Sequence, residues 1–200
     1  EDGHTLTYSL SGTDAASLSI NSSSGVITFN SAPNYEVKNS YAVTVTVSDG
    51  QISASQPINI TILDVNDSPV MTSAASFSAN ENQTGVGTVT ASDEDGNTLT
   101  YSLSGTDAAY LSVDENTGVI TFDTAPDYET QTSYLVTVTA SDGSINESQA
   151  LIITIININD NTPVITSAAT FSANENQTGV GIAMATDADG DAITYALSGT

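Results

Sequence analysis

Residues 98–109 read TLTYSLSGTDAA, and residues 5–16 read the same twelve letters. A third, imperfect copy, AITYALSGT, starts at Ala192. Tyr8, Tyr101 and Tyr195 mark the same point in each copy, 93 and then 94 positions apart. A second block, SFSANENQTGVG from Ser76, returns as TFSANENQTGVG from Thr170. A period near 93 is too long for one turn of a solenoid and suits a whole β-sandwich domain of about 100 residues. It places one complete repeat at 68–161. The C-terminal part of a preceding repeat falls at 1–67, and the N-terminal part of a third at 162–200. The pattern opens and stops in mid-repeat, so the chain reads as a fragment of a longer array.

Inside a repeat the apolar residues alternate. Leu99, Tyr101 and Leu103 form one such row, and Tyr134, Val136, Val138 and Ala140 another. Leu151, Ile153 and Ile155 form a third. Period-2 alternation in short runs rich in Val, Ile, Thr and Tyr predicts half-buried antiparallel strands, and no helix of note is expected. Turns such as Asn116-Thr117-Gly118 separate the runs.

The charge balance is extreme. Of 200 residues, 24 are Asp or Glu and one is Lys or Arg, for a formal net charge of −23. Such a chain repels nucleic acid and anionic membrane surfaces. It has no cysteine, which excludes disulfides and thiolate metal sites. It also lacks a run of apolar residues long enough to span a bilayer. The acids of the complete repeat fall mostly at strand ends and turns: Glu81, Asp93 and Asp95, Asp127 and Glu129, Asp142, and Asp160. A sandwich gathers its loops at two ends. Two like charges at about 4 Å cost about 4 kcal/mol at an effective dielectric near 20. With almost no Lys or Arg to offset this, a hard cation with oxygen ligands is the natural solution, and Ca²⁺ takes such ligands.

Five short strings, taken together and in order, carry a resemblance. They are Asn80-Glu81-Asn82, Asp93-Glu94-Asp95, Asp127-Tyr128-Glu129, Ala140-Ser141-Asp142-Gly143, and Asn157-Ile158-Asn159-Asp160-Asn161-Thr162-Pro163. They resemble the Pro-Glu-Asn, Asp-x-Asp, Asp-Arg-Glu, Ala-x-Asp and Asp-x-Asn-Asp-Asn-x-Pro motifs of the cadherin repeat family. High acidity and near-identical neighbours point further to the cadherin-like repeats of large bacterial surface adhesins. The implied fold is all-β: tandem immunoglobulin-like, cadherin-type antiparallel β-sandwich repeats. The implied linker holds up to three Ca²⁺ ions between successive repeats. At the second linker the ligands carried over are Glu81, Asp127, Glu129, Asn157, Asn159 and Asp160, then Asp187 and Asp189. At the first they are Glu36, Asp64, Asn66 and Asp67, then Asp93, Asp95 and Asp142. Backbone carbonyls would come from Ile158, Asn161 and Asn97.

The match has departures. Asn34 stands where Asp127 stands in the next copy, and Asn157 replaces the first linker Asp of the family. The run Asp67-Ser68-Pro69 is one residue shorter than Asp160-Asn161-Thr162-Pro163. Complete sites are expected around Asp93, Asp95 and Asp142, and around Glu81, Glu129 and Asp160.

Other chemistries fail on the residues. Asp187-Ala188-Asp189-Gly190-Asp191 opens like an EF-hand loop, but Ala192 and Ser198 stand where that loop needs Gly and Glu. Paired carboxylates that recur in every repeat do not suit a glycosidase, whose pair occurs once. A serine triad needs a histidine; the single one, His4, occupies a turn position held by Asn97 and Asp191 in the other copies. Lys38 reads as a solvated loop residue. The expected role is therefore not enzymatic: an extracellular or cell-surface array, stiffened by calcium shared between neighbouring repeats, binding like repeats on another cell or chain. The alternative is a passive spacer in a secreted polysaccharide-degrading or carbohydrate-binding protein.

Overall fold

A computed structural model describes residues 5–199; His4 lies outside the described residues. The chain divides into two compact units, residues 1–67 and 68–200.

The first unit contains β1 (Thr7–Ser11), a 3-10 turn at Ala15–Ser17, β2 (Leu18–Ile20), β3 (Ile27–Phe29), β4 (Ser40–Ser48) and β5 (Ser53–Thr61). One sheet runs β1-β4-β5, and β2 pairs with β3. Only Leu18 and Val43 are buried apolar side chains among its described residues. Lys38 is exposed in a loop, as expected, and from there forms an ion pair with Asp14 and lies 4.8 Å above the Tyr41 ring. The pair has a local cause: the Asp14 carboxylate is already fixed by the N–H of Ala42 at 2.8 Å, within reach of the lysine.

The second unit opens with β6 (Val70–Met71), β7 (Ser76–Asn80), β8 (Gly85–Thr88), β9 (Ala91–Ser92) and β10 (Thr100–Ser104). After a 3-10 turn at Ala108–Tyr110 come β11 (Leu111–Val113), β12 (Val119–Phe122), β13 (Ser133–Ser141) and β14 (Asn146–Ile156). A four-stranded sheet, β10-β13-β14-β7, faces a three-stranded one, β11-β12-β8. Between them lies the core, with Val89, Ile120, Val136, Val138, Leu151 and Ile153 each no more than 1% exposed. Alternation places them there. Along β13, Tyr134, Val136, Val138 and Ala140 are buried and their neighbours are not.

Two backbone features position the loops. The ladder is antiparallel except for β7, which runs parallel to β14 with Ser76 opposite Ile152 and Asn80 opposite Ile156. The chain then turns at Asn82, φ +61°, and crosses to β8 in the other sheet. Gly118 ends the Asp114–Gly118 turn at φ +69°, and a Cβ there would stand 2.3 Å from the Val89 carbonyl oxygen. Only glycine fits such an approach in the left-handed region. Residues beyond 161 add β15 (Val164–Ile165) and β16 (Ala185–Thr186), paired with each other. Phe171, Val180, Ile182 and Tyr195 remain exposed there.

Candidate metal centre

Glu81 follows directly on β7, and its N–H donates to the Ile156 carbonyl at 3.2 Å. Its side chain is 1% exposed, the one charged residue in the core of this unit among those described. Two backbone donors hold it. The N–H of Tyr128 reaches Oε2 at 2.9 Å, and the N–H of Ile158 reaches Oε1 at 2.7 Å. A carboxylate bonded by two amide donors stays buried at tolerable cost, since each bond is charge-assisted. Glu81 thereby ties together three segments: the end of β7, the 127–131 turn and the linker after β14.

Asp127 caps that turn. Its Oδ1 accepts from the Glu129 N–H at 3.0 Å and its Oδ2 from the Thr130 hydroxyl at 3.0 Å. These bonds, the Thr130 hydroxyl first, hold its carboxyl below the usual aspartate value. The capped turn aims Glu129 at Glu81. One oxygen each from Glu81, Glu129, Asp160 and Asp189 lies within 4.8 Å of all the others. The Glu129 carboxyl is held above its ordinary value, first by desolvation and then by the neighbouring charges of Glu81 and Asp189. For Asp189, desolvation pushes upward but is outweighed by hydrogen bonds from Asn161, so the net shift is downward. The Asn161 N–H and side-chain amide reach the two Asp189 oxygens at 2.8 and 3.1 Å. The same amide donates to Asp160 Oδ1 at 2.8 Å, and Asn82 donates to Asp160 Oδ2.

Asn157 donates its side-chain amide to the Asp189 carbonyl at 3.1 Å, while its own Oδ1 is buried without a hydrogen-bond partner. Buried polar atoms are almost always paired. An orphaned oxygen on a side chain bonded to the Asp189 backbone, together with a converging group of four carboxylates and no nitrogen or sulfur ligands among them, fits a hard, oxygen-seeking cation.

Comparison with known proteins gives the family of the fold. Residues 74–159 match the family model of the Cadherin domain, and residues 1–63 that of the "Putative Ig domain". The chain carries a cadherin repeat. Human protocadherin Fat 4 is 32% identical over 169 residues, 80% of this chain but 3% of that protein. Mouse cadherin EGF LAG seven-pass G-type receptor 1 is 33% identical over 172 residues, 79% of this chain and 6% of that protein. The chain thus spans a small part of these relatives. Among solved structures, a protocadherin gammaB7 EC3-6 cis-dimer superposes with a TM-score of 0.67 at 26% identity, covering 92% of this chain and 51% of that one. Cadherin family members are extracellular adhesion proteins, not enzymes, and cadherin domains typically bind Ca²⁺. The relatives named are animal proteins and lend no support to a bacterial source. No helix among the described residues is long and apolar enough to cross a membrane.

The end of the cadherin repeat and the loop after β16 bring Glu81, Glu129, Asp160 and Asp189 together, while Asp127 caps the turn that carries Glu129. Asp187 belongs to a second group, in which Asp187, Asp189 and Asp191 approach within 4.8 Å. Asn159 donates to Asp191. Sequence reasoning passed over Asp191 and Asn82. The signal for Asp191 was available: three acids at alternate positions of Asp-Ala-Asp-Gly-Asp, with Gly190 at φ +79° bending the loop. Ile158 serves through its N–H to Glu81, and Asn161 through its N–H and amide to Asp189.

The residues expected at the first linker are placed within their own units. In the first unit, Asn34 caps the 34–38 turn as Asp127 does, accepting the Val37 N–H at 2.8 Å, but without a charge. Glu36 and Asp67 line one small pocket of that unit. Asp64 follows β5 in an exposed segment, and Asn66 donates to the Asp67 carbonyl at 3.0 Å. In the second unit, Asp93 and Asp95 share a half-buried loop closed by Gly96 at φ +74°. The Asn97 N–H donates to Asp93 Oδ1 at 3.1 Å, and Asp93 Oδ2 is buried without a hydrogen-bond partner. Asp142 lies in the β13–β14 hairpin, where its Oδ1 accepts the N–H groups of Ser144 and Ile145, each at 2.6 Å. Asp93, Asp95 and Asp142 do not form a close group of the kind seen around Glu81.

Proposed function

We propose that this chain is a calcium-binding segment of an extracellular adhesin array, in which the ion joins successive repeats and stiffens the array for homophilic adhesion. The carrying observation is the group Glu81, Glu129, Asp160 and Asp189. Three of its members belong to the complete repeat, and the fourth belongs to the loop after β16. Without a cation these charges repel across the linker. Calcium would supply a shared positive centre with room for 6–8 oxygens. Asn157 and Asn159 now turn amide N–H groups toward acceptors of the next loop. A half-turn of either amide would offer its oxygen to an ion instead. The repeat positions extend the reading to Glu36, Asp64, Asn66 and Asp67, and to Asp93, Asp95, Asn97 and Asp142.

Calorimetric titration of the chelator-treated chain with calcium tests this. The expected result is one to two ions per linker, with dissociation constants of about 10⁻⁴–10⁻³ M, the range of extracellular modules. Absence of heat and of any ion uptake in millimolar calcium would end the proposal. One observation favours a passive spacer over an adhesive role: a net charge of −23 resists like-to-like association. Sedimentation in millimolar calcium separates the two, since adhesion requires calcium-dependent dimers and a spacer stays monomeric.

A further inference from the structure

Each Asp-x-Asp loop is entered from a strand of two residues. β9 leads into Asp93, and β16 leads into Asp187. So short a strand has few ladder bonds of its own. On one side, the N–H groups of Thr72 and Ser73 converge on the Thr90 carbonyl at 2.8 and 3.2 Å. The N–H groups of Thr166 and Ser167 converge on the Met184 carbonyl at the same distances. A further bond recurs in both copies. The Ala91 N–H donates to the Tyr101 hydroxyl oxygen at 3.0 Å, and the Ala185 N–H donates to the Tyr195 hydroxyl oxygen at 3.0 Å. The two tyrosines are the same residue of the repeat, each ten positions after its alanine. Tyr101 is seated in β10 opposite Ala140 of β13, and its ring packs against the core. Its hydroxyl therefore reaches from the main sheet to the strand that presents the acids. It supplies an acceptor that the two-residue strand lacks.

We infer that Tyr101 and Tyr195 are positioning residues for metal binding, their hydroxyls fixing the entry to the Asp93–Asp95 and Asp187–Asp189 loops. The inference rests on the calcium reading above. Neither hydroxyl has to touch the ion. Each acts on the backbone two residues before the first aspartate, so that both carboxylates stand ready before a cation arrives. Ligands held in place bind more tightly than ligands that must first be ordered.

The test uses the full chain and two substitutions, Tyr195→Phe and Tyr101→Phe, made separately. Phenylalanine keeps the ring and removes only the acceptor. Calcium titration is read at a temperature where each variant is folded by circular dichroism. Tyr195→Phe is expected to weaken the ions held by Asp189 about three- to tenfold, the scale of one lost hydrogen bond. Tyr101→Phe is expected to do the same to the ions held by Asp93 and Asp95. In each variant the other set stays at wild-type affinity. A hydroxyl with a merely structural role would lower the melting temperature and leave the affinity of the folded chain unchanged. Tyr195 lies outside the core of the complete repeat, so its variant keeps the test sound should Tyr101→Phe fail to fold. Wild-type affinity in the folded variants, or equal weakening of both sets, would overturn the inference and leave the calcium reading standing. A wild-type chain that takes up no calcium would overturn both.

Discussion

Glu81 offers both carboxylate oxygens to backbone donors, the N–H groups of Tyr128 and Ile158. An amide in its place has one acceptor and one NH₂ donor. Glu81→Gln therefore turns a donor toward a donor at a position 1% exposed. The substitution removes a charge from an acidic group, yet it is expected to destabilise the calcium-free repeat by about 1–3 kcal/mol. The urea midpoint at constant slope reads this out. An unchanged or raised midpoint would mean that charge repulsion outweighs the two bonds. Glu129 behaves in the opposite sense. Its carboxyl is held above the ordinary 4.5, first by desolvation, so the folded chain takes up a proton before the unfolded one does. The unfolded state then binds fewer protons, and stability rises as pH falls from above the folded value toward 4.5. Asp127 and Asp189, both held below 3.8, titrate beneath that window. Glu129→Gln is expected to raise the melting temperature of the chelated chain near neutral pH and to flatten its rise through the window. A parallel, unflattened curve would contradict it. The motif singled out Glu81 and Glu129 in the sequence, and the fold brings their carboxylates together. The burial of one and the strain on the other were not legible there, because both depend on which backbone N–H groups the fold brings to them.

β14 shows what a strand's alternation does and does not specify. Leu151, Ile153 and Ile155 are buried, whereas Ile152 is 49% exposed and pairs across the ladder with Leu135 on the outer face. Ile153→Ala is expected to cost about 2–5 kcal/mol through lost burial and the cavity left behind. Ile152→Ala should stay within about 0.5 kcal/mol. Chemical denaturation of the two variants compares them directly, and similar losses would mean the faces are wrongly assigned. The period-2 pattern made these faces readable from the sequence. It left the pairing partners open, since alternation fixes a side and not a neighbour. So the parallel β7–β14 pair was not expected, and its one sequence signal is weak: Asn82, a residue type that tolerates the left-handed turn. The ion-pair partner of the exposed Lys38 was left open for a similar reason. Its partner Asp14 is 24 positions away and is positioned by the N–H of Ala42, which only the folded β4 supplies.

At the scale of the molecule, the repeat period made the array legible. The acids' spacing placed them at the linkers, but it could not say which acids converge. Repulsion among anions can be relieved in two physically different ways. Monovalent salt shortens the range of the repulsion, to about 3 Å at 1 M. A shared divalent ion, by contrast, replaces it with bonds to both sides. Only the second restricts orientation. The chain has no native cysteine, so spin labels can be placed at will through Asn146→Cys in the complete repeat and Gln177→Cys in the segment beyond the linker. Both positions are exposed. The distance distribution between the labels is expected to be broad in chelator and to stay broad in chelator with 1 M sodium chloride. It should narrow on addition of millimolar calcium. Glu129→Gln in the same doubly labelled chain should need more calcium to narrow it, since one of the four converging carboxylates is gone. Narrowing by sodium chloride alone would mean that screening suffices, and the acids at the linker would then act only as a repulsive spacer.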